Sequence, residues 1–428
     1  MLPLNVATAE SEDNFNNSRA LQTQNSVLQT SESALKESTA LQPQNGIMQT
    51  SENILQTSEN FMQTSENLRQ TSENILQTSE NFRQTSENIL QTSKSEVANK
   101  VGYVNYCGQI VIEQTSKKAL YAKNENIKMP MASTTKIVTC IVALENCDIK
   151  KTFTIPKEAT NIEGSSIYLK EGEKLTIEEL LYGLMLASGN DSAVAVAIAV
   201  GGSVQNFVAM MNDFAQKHNA TNTHFANPNG LHNETHFTTA KDLAILTAHA
   251  MNNEKFCDIV ATKSKNITGY DGYNRHLVNK NKMLTQFEGG NGVKTGFTKV
   301  AGRCLVSSAK RNGMQLISVV LNCPDMWQDS ANNMTNAFKN YSMQQYVSAN
   351  QLYNTVKTKK YKIGLAFEKD FYYPIKNGES GNFSYKIKID DDFNKPQLNK
   401  IVGKLFIYDD NCLLFSANIY TINYEKLS

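Results

Sequence analysis

The sequence predicts an α+β chain in three parts: an antiparallel sheet with a helical insert, a small β-rich module after it, and a low-complexity heptad repeat before it. Three observations carry that expectation. Apolar runs with helical spacing between Ala132 and Met251 lie between an early strand pair and a late hairpin. After about Val347, short strand patterns alternate with polar turns. Before about Glu96, a seven-residue unit recurs almost unchanged. The expected boundaries are 1–95, 96–346 and 347–428.

The opening, MLPLNVATAESED, contains Ala7-Thr8-Ala9, the small-residue form of a signal-peptide cleavage site. No basic stretch precedes it, and Leu2 to Val6 is too short for an apolar signal core. The expectation is an exported chain with an incomplete signal peptide. From Gln49 the repeat reads QTSENIL QTSENFM QTSENLR QTSENIL QTSENFR QTSENIL QTS, and Leu21 to Met48 holds decayed copies. Placing Ile54, Phe61, Leu68, Ile75, Phe82 and Ile89 at the a position of a coiled coil puts Thr57, Thr64, Thr71, Thr78 and Thr85 at d. Threonine makes a poor seam, and Ser, Thr and Asn compete for backbone hydrogen bonds. A flexible or weakly helical spacer is expected.

Next come strands at Ile110 to Ile112 and Ala119 to Tyr121, then a helix, Ala132 to Asn146, apolar on nearly every side and so buried. Thr176-Ile177-Glu178-Glu179 is a capping box opening a helix through Met185. Ser188-Gly189-Asn190 interrupts it, and Asp191 to Val200 resumes, closed by Gly201-Gly202. Val204 to His218 and Thr239 to Met251 have helical spacing. Cys304 to Ala309 and Met314 to Leu321 flank Lys310-Arg311-Asn312-Gly313, a hairpin signal. Strands Tyr361 to Ala366, Asn382 to Ile389, Ile401 to Tyr408 and Cys412 to Tyr424 form the β-rich tail.

Of the 428 residues, 40% are hydrophobic and 19% charged, with a formal net charge of +1. That balance points to no nucleic-acid partner, and no apolar run approaches the length of a transmembrane helix. The seven cysteines are scattered without a C-x-x-C pair, so no zinc site is suggested, and their pairing stays open. Cys140 and Cys304 read as core residues. His232 and His236 in HNETH lie in a loop and not in metalloprotease order, so a structural role is expected. No metal or other cofactor is expected.

The buried helix carries a puzzle: Ser133 and Lys136 stand inside MPMASTTKIVTCIVALEN. A buried lysine is costly unless it is paired or its pKa falls. Two further motifs follow in order, S-G-N at Ser188 to Asn190 and K-T-G at Lys294 to Gly296. Each alone is weak; together, in this order, they resemble the S-x-x-K, S-x-N, K-T-G signature of active-site-serine penicillin-interacting enzymes. Ser133 at a helix start is placed for nucleophilic attack, and a neutral Lys136 three residues on can take its proton. Ser188 can relay a proton, and Asn190 can hold Lys136. Lys294 and Thr295 can bind a carboxylate. Gly296 lets substrate lie along the strand, and the N–H groups of Ser133 and Phe297 can form the oxyanion hole.

KMPMASTTK, GSSIYLKEGEKLTIEELLYGLMLASGNDSA, FANPNGLHNETHFTTAKDLA and GVKTGFTKVAGRCLVSSAKRNGMQLISVVLN extend the resemblance. The chain resembles the serine-type D-alanyl-D-alanine carboxypeptidases, the low-molecular-mass penicillin-binding proteins, from about residue 100 to 345. The resemblance implies a β-lactamase/transpeptidase-like domain in an extracytoplasmic bacterial enzyme. It implies removal of the terminal D-alanine from peptidoglycan stem peptides, and acylation of Ser133 by β-lactams. The alternatives are a DD-endopeptidase, a transpeptidase or a β-lactamase using the same serine, or a non-catalytic wall-binding surface protein. Glu163 in NIEGSSIYL has the carboxypeptidase context rather than that of a β-lactamase base. Some members grip the substrate carboxylate with an arginine after the strand that follows K-T-G. Here that region reads NCPDMWQDS, and no arginine follows Arg311. Trp327 within it is expected to pack rather than bind. Many members end in an amphipathic anchor helix; after the strand pattern ending INYEKLS, membrane attachment is not evident.

Overall fold

The computed structural model describes residues 106–427, apart from 270–271, 391–392, 394–395 and 410–411, and scattered positions between 56 and 78. It divides into two units, Met1–Lys94 and Ser95–Ser428. In the first, the described repeat positions are helical and exposed. The hydroxyls of Thr64, Thr71 and Thr78 donate to the carbonyl oxygens of Asn60, Asn67 and Asn74, at 2.7, 2.8 and 2.7 Å. Each threonine thus satisfies its own donor within the helix, four residues back. The apolar a positions lie outside the described residues, as does the opening of the chain.

The second unit begins with β1 (Gly108–Glu113) and β2 (Ala119–Lys123), followed by the helix α1 (Lys136–Asn146). A two-stranded ribbon, β3 (Thr152–Thr154) with β4 (Lys174–Thr176), leads into α2 (Ile177–Tyr182), a π-helical turn at Gly183–Ala187, α3 (Asn190–Gly201) and α4 (Val204–Lys217). Then come α5 (Ala240–Ala250), α6 (Glu254–Ala261), the ribbon β5 (Ser264–Thr268) and β6 (Asn274–Val278), and a short α7 (Met283–Gln286). Strands β7 (Gly290–Thr298), β8 (Gly302–Arg311) and β9 (Met314–Leu321) close the main sheet, and α8 (Met326–Asn340) follows.

The sheet order is β2-β1-β9-β8-β7, antiparallel throughout. The early strand β1 pairs with the late β9, as the helical insert between them predicts. Every residue of β9 is buried, because α5 packs on one face and α8 on the other. Ile317 and Val319 join the core beneath the helical insert, whereas Leu316 and Val320 join Met334 and Ala337 of α8. A strand covered on both sides reads as a continuous apolar run. The β8–β9 turn is Asn312-Gly313 with φ of 48° and 80°, the left-handed pair that the dipeptide favours. Both halves of the Thr176–Glu179 capping box form, at 3.2 and 2.8 Å.

Cys107 and Cys323 form a disulfide joining the residue before β1 to the second residue after β9. Cys140 and Cys304 are buried and free, as expected of core residues. The C-terminal part comprises β10 (Tyr341–Val347), β11 (Asn354–Lys357), β12 (Tyr361–Phe367), β13 (Phe371–Lys376), β14 (Ser384–Ile389), β15 (Ile401–Asp409) and β16 (Cys412–Lys426). Five of these form a sheet in the order β11-β12-β16-β15-β14, while β10 pairs with β13. Among the described residues, no single helix is long and apolar enough to cross a membrane.

Candidate active site

The site is assembled where the chain enters α1. Ala132–Thr135 forms a tight 3-10 turn, with Ala132 in the left-handed region at φ 47°. Local hydroxyls close the turn: Thr134 Oγ1 donates to Met131 O at 2.6 Å, and Thr135 Oγ1 to Ala132 O at 2.8 Å. Two glycines let other backbone approach it. A Cβ on Gly230 would fall 2.0 Å from Ala132 O. A Cβ on Gly296 would lie 3.1 Å from the amide nitrogens of both Ser133 and Thr134. K-T-G strand β7 therefore runs directly past the N–H groups of the serine turn.

Lys136 is wholly buried. Its Nζ contacts Asn190 Oδ1 at 2.7 Å, Asn229 O at 2.5 Å and Ser133 Oγ at 3.0 Å. Burial, then the nearby Lys294 and Lys280, push its pKa well down, against the opposing pull of Asp191. The first two partners are carbonyl oxygens and only accept. A neutral amine has two N–H bonds to give them, which leaves its lone pair facing the Ser133 hydroxyl.

Asn190 is held in one orientation. Its Oδ1 accepts from Lys136, its Nδ2 donates to Glu163 O at 2.6 Å, and its own N–H donates to Ser165 O at 2.7 Å. Glu163 thus contributes a carbonyl to the site while its side chain is exposed. Ser188, nearly buried, follows the π-helical turn with φ 65°. A bulge of this kind re-aims the chain between two helices that share one apolar run. Lys294 is 1% exposed and donates to Thr295 O at 3.0 Å; burial, then Lys280, bring its pKa down to about 7. Thr295 is half-buried and Phe297 is 65% exposed.

Residues 96–325 match the family described as D-alanyl-D-alanine carboxypeptidase, and residues 341–426 match the C-terminal domain of penicillin-binding protein 5. D-alanyl-D-alanine carboxypeptidase DacF of Bacillus subtilis is 34% identical over 323 residues, covering 72% of this chain and 83% of the relative. This chain belongs to the D-alanyl-D-alanine carboxypeptidase family. Penicillin-binding protein 5 from Haemophilus influenzae superposes with a TM-score of 0.58 at 27% identity, over 74% of this chain and 96% of that one. A point mutant of Streptomyces K15 DD-transpeptidase superposes with a TM-score of 0.52 at 31% identity, over 54% and 97%.

Several residues that shape this carboxypeptidase's site escaped the sequence reading. Asp191, buried, accepts from Ser166 Oγ at 2.5 Å and from the N–H groups of Ile167 and Leu169, pinning that segment beside Asn190. An acid straight after S-G-N, opening an otherwise apolar helix, was its available signal. His236 takes an N–H from Ala226 on Nδ1 at 3.0 Å, so Nε2 carries the proton and donates to Thr135 at 2.7 Å. Burial above all lowers its pKa to about 3. Both ring nitrogens are engaged, and His232 is exposed, so the structural expectation for HNETH fits. Trp327 packs against the α8-side core.

Proposed function

We propose that Ser133 is the nucleophile by which this serine carboxypeptidase releases the terminal D-alanine from peptidoglycan stem peptides. The observation that carries the reading is the 3.0 Å contact of Ser133 Oγ with a buried lysine whose other two partners are carbonyl oxygens. Ser133 Oγ attacks the D-Ala–D-Ala carbonyl carbon as its proton passes to Lys136 Nζ. The N–H groups of Ser133 and Phe297 stabilise the oxyanion. On collapse, the proton passes by way of Ser188 to the departing amine, the C–N bond breaks and D-alanine leaves. Water then attacks the Ser133 ester, giving its proton to Lys136, and Oγ departs protonated.

A β-lactam follows the same first half. Its amine stays tethered after ring opening, so the ester persists. The exposed Glu163 side chain favours this reading over a β-lactamase. The Cys107–Cys323 disulfide supports an oxidising, extracytoplasmic location. The proposed parts remain a repeat segment, 1–95, a catalytic domain, 96–346, and a β-rich domain, 347–428.

The test is the intact mass of the protein after incubation with benzylpenicillin, beside Ser133→Ala. A penicilloyl adduct on the parent alone, together with D-alanine release from a stem pentapeptide, is the expected result. An adduct on both proteins would overturn the assignment of Ser133. Consumed penicillin without an adduct would favour a β-lactamase.

A further inference from the structure

The C-terminal domain holds a cavity of about 530 Å³ that the reaction does not use. Its floor is Phe367 of β12 with Leu405 and Ile407 of β15, all buried. One wall is the link from β10 to β11, which carries Ser348, Gln351 and Tyr353. The other is the approach to β14, with Phe383 and Tyr385.

Both walls are held in place. The Asn350 N–H donates to Phe367 O at 2.9 Å and the Tyr353 N–H to Leu365 O at 2.8 Å. Tyr420 Oη donates to Asn350 Oδ1 at 2.7 Å, and the Tyr353 ring centre lies 4.4 Å from that of Phe367. On the second wall, Phe383 packs edge-on against Tyr346 and Tyr373, with ring centres 4.8 and 5.0 Å apart. The cavity is thus preformed and of the size that small ligands occupy.

Its chemistry narrows the ligand. No charged side chain lines it, so an ion would enter without a partner. Tyr346, Tyr353 and Tyr385 are 36%, 46% and 69% exposed, which leaves aromatic faces in water. Among the described residues, the side-chain polar groups of Ser348, Gln351, Tyr353 and Tyr385 have no hydrogen-bond partner in the protein. A purely apolar ligand would cover these groups and leave them unpaired. A sugar meets both demands: its C–H face lies on an aromatic ring, and its hydroxyl and acetamido edges take the free amide and hydroxyls.

The polymer on which this family acts offers such a ligand. The glycan strand of peptidoglycan is built of N-acetylated hexosamines. Its muramyl carboxyl is consumed in the amide to the stem peptide, so the strand is neutral. We propose that this cavity binds the N-acetylated glycan strand of peptidoglycan, apart from the stem peptide on which the serine acts. The choice of ligand rests on the proposed function; binding itself needs no catalysis.

The experiment titrates the full chain calorimetrically with chitotetraose, a neutral tetramer of N-acetylglucosamine. Cellotetraose, which lacks the acetamido groups, and an uncharged leucine-rich peptide are titrated beside it. Saturable binding of chitotetraose is expected, weakened about three- to tenfold by Tyr385→Ala and likewise by Tyr353→Ala, the range of an aromatic contact. Acylation of both variants by benzylpenicillin should match the parent, and melting temperature reports that each folds. Tyr385, the more exposed, carries the test if Tyr353→Ala fails to fold. No saturable binding overturns the inference, as does binding that neither substitution weakens, or equal binding of cellotetraose. Binding of the peptide in place of the sugar overturns it in favour of a protein partner. Sugar binding without a penicilloyl adduct or D-alanine release sinks the proposed function and leaves this site standing. The reverse result sinks the site alone.

Discussion

In the catalytic domain two lysines, Lys136 and Lys294, have almost no exposed surface, and Asn190, Asp191 and His236 are buried with them. In the C-terminal domain every described lysine is exposed, and the buried set is hydrocarbon and aromatic apart from Thr421 and the hydroxyl of Tyr373. One domain follows the rule that polar groups stay wet; the other breaks it, at the active site and also at charged residues such as Glu113, Glu173, Asp242 and Arg275. Burying an amine is unfavourable while it holds its proton. The catalytic domain accepts that cost where a base is required, and offsets it at Lys136 with the carbonyl acceptors of Asn190 and Asn229. The β-rich domain has no such requirement, and its aromatic cluster around Phe371, Phe383 and Phe415 is ordinary packing.

The sharpest way to break this contrast is Lys136→Met. It should cut the second-order rate of penicillin acylation by at least about ten-thousandfold, as losing one member of a concerted pair does. Melting temperature should fall only modestly: a side chain of similar length fills the space, while the buried Asn190 Oδ1 and Asn229 O lose their donor. A Lys136→Met protein that unfolds would mean that the lysine holds the fold. Phe371→Ala is the mirror experiment. It should lower stability by about 3–5 kcal/mol in denaturant titration, with the acylation rate of folded protein within twofold of the parent. A parallel loss of rate would show that the β-rich domain shapes the cleft.

The smallest effect is a pH effect. His236 is neutral in the fold, with its pKa lowered to about 3 from an ordinary 6.5. Between those values the unfolded chain binds the extra proton, so stability rises with pH. The ring's contribution is fully present above about 6.5 and is lost as pH falls towards 3. Urea midpoints across that window should slope less steeply in His236→Gln than in the parent. An unchanged slope would place the acid sensitivity elsewhere.

Side-chain chemistry with a spacing was legible in the sequence: Ser133 and Lys136 one helical turn apart, the Thr176 capping box, the Asn312-Gly313 turn. Backbone chemistry was not. The Asn229 carbonyl that accepts from Lys136 has no residue signature, because every residue carries a carbonyl. The inward approach of Gly230 depends on a neighbour a hundred positions away. Helix α8 was missed because its polar face is crowded with asparagines, which are weak helix formers. It forms because Met334 and Ala337 are buried against the sheet. The partner of Cys107 was illegible for a related reason: β1 meets β9 only through tertiary pairing.

That disulfide spans 216 residues of sequence, and Ser133, Ser188 and Lys294 all lie between its two cysteines. The whole machinery is thus a closed covalent ring, with the repeat and the β-rich domain attached at the join. A single proteolytic cut within the ring, for instance in the exposed stretch 232–235, opens the circle without releasing a piece. Nicked protein should migrate as one chain until a reductant is added. On the chain-entropy account a loop of this size stabilises the fold by about 5 kcal/mol, and a nicked ring forfeits that contribution while keeping its parts tied together.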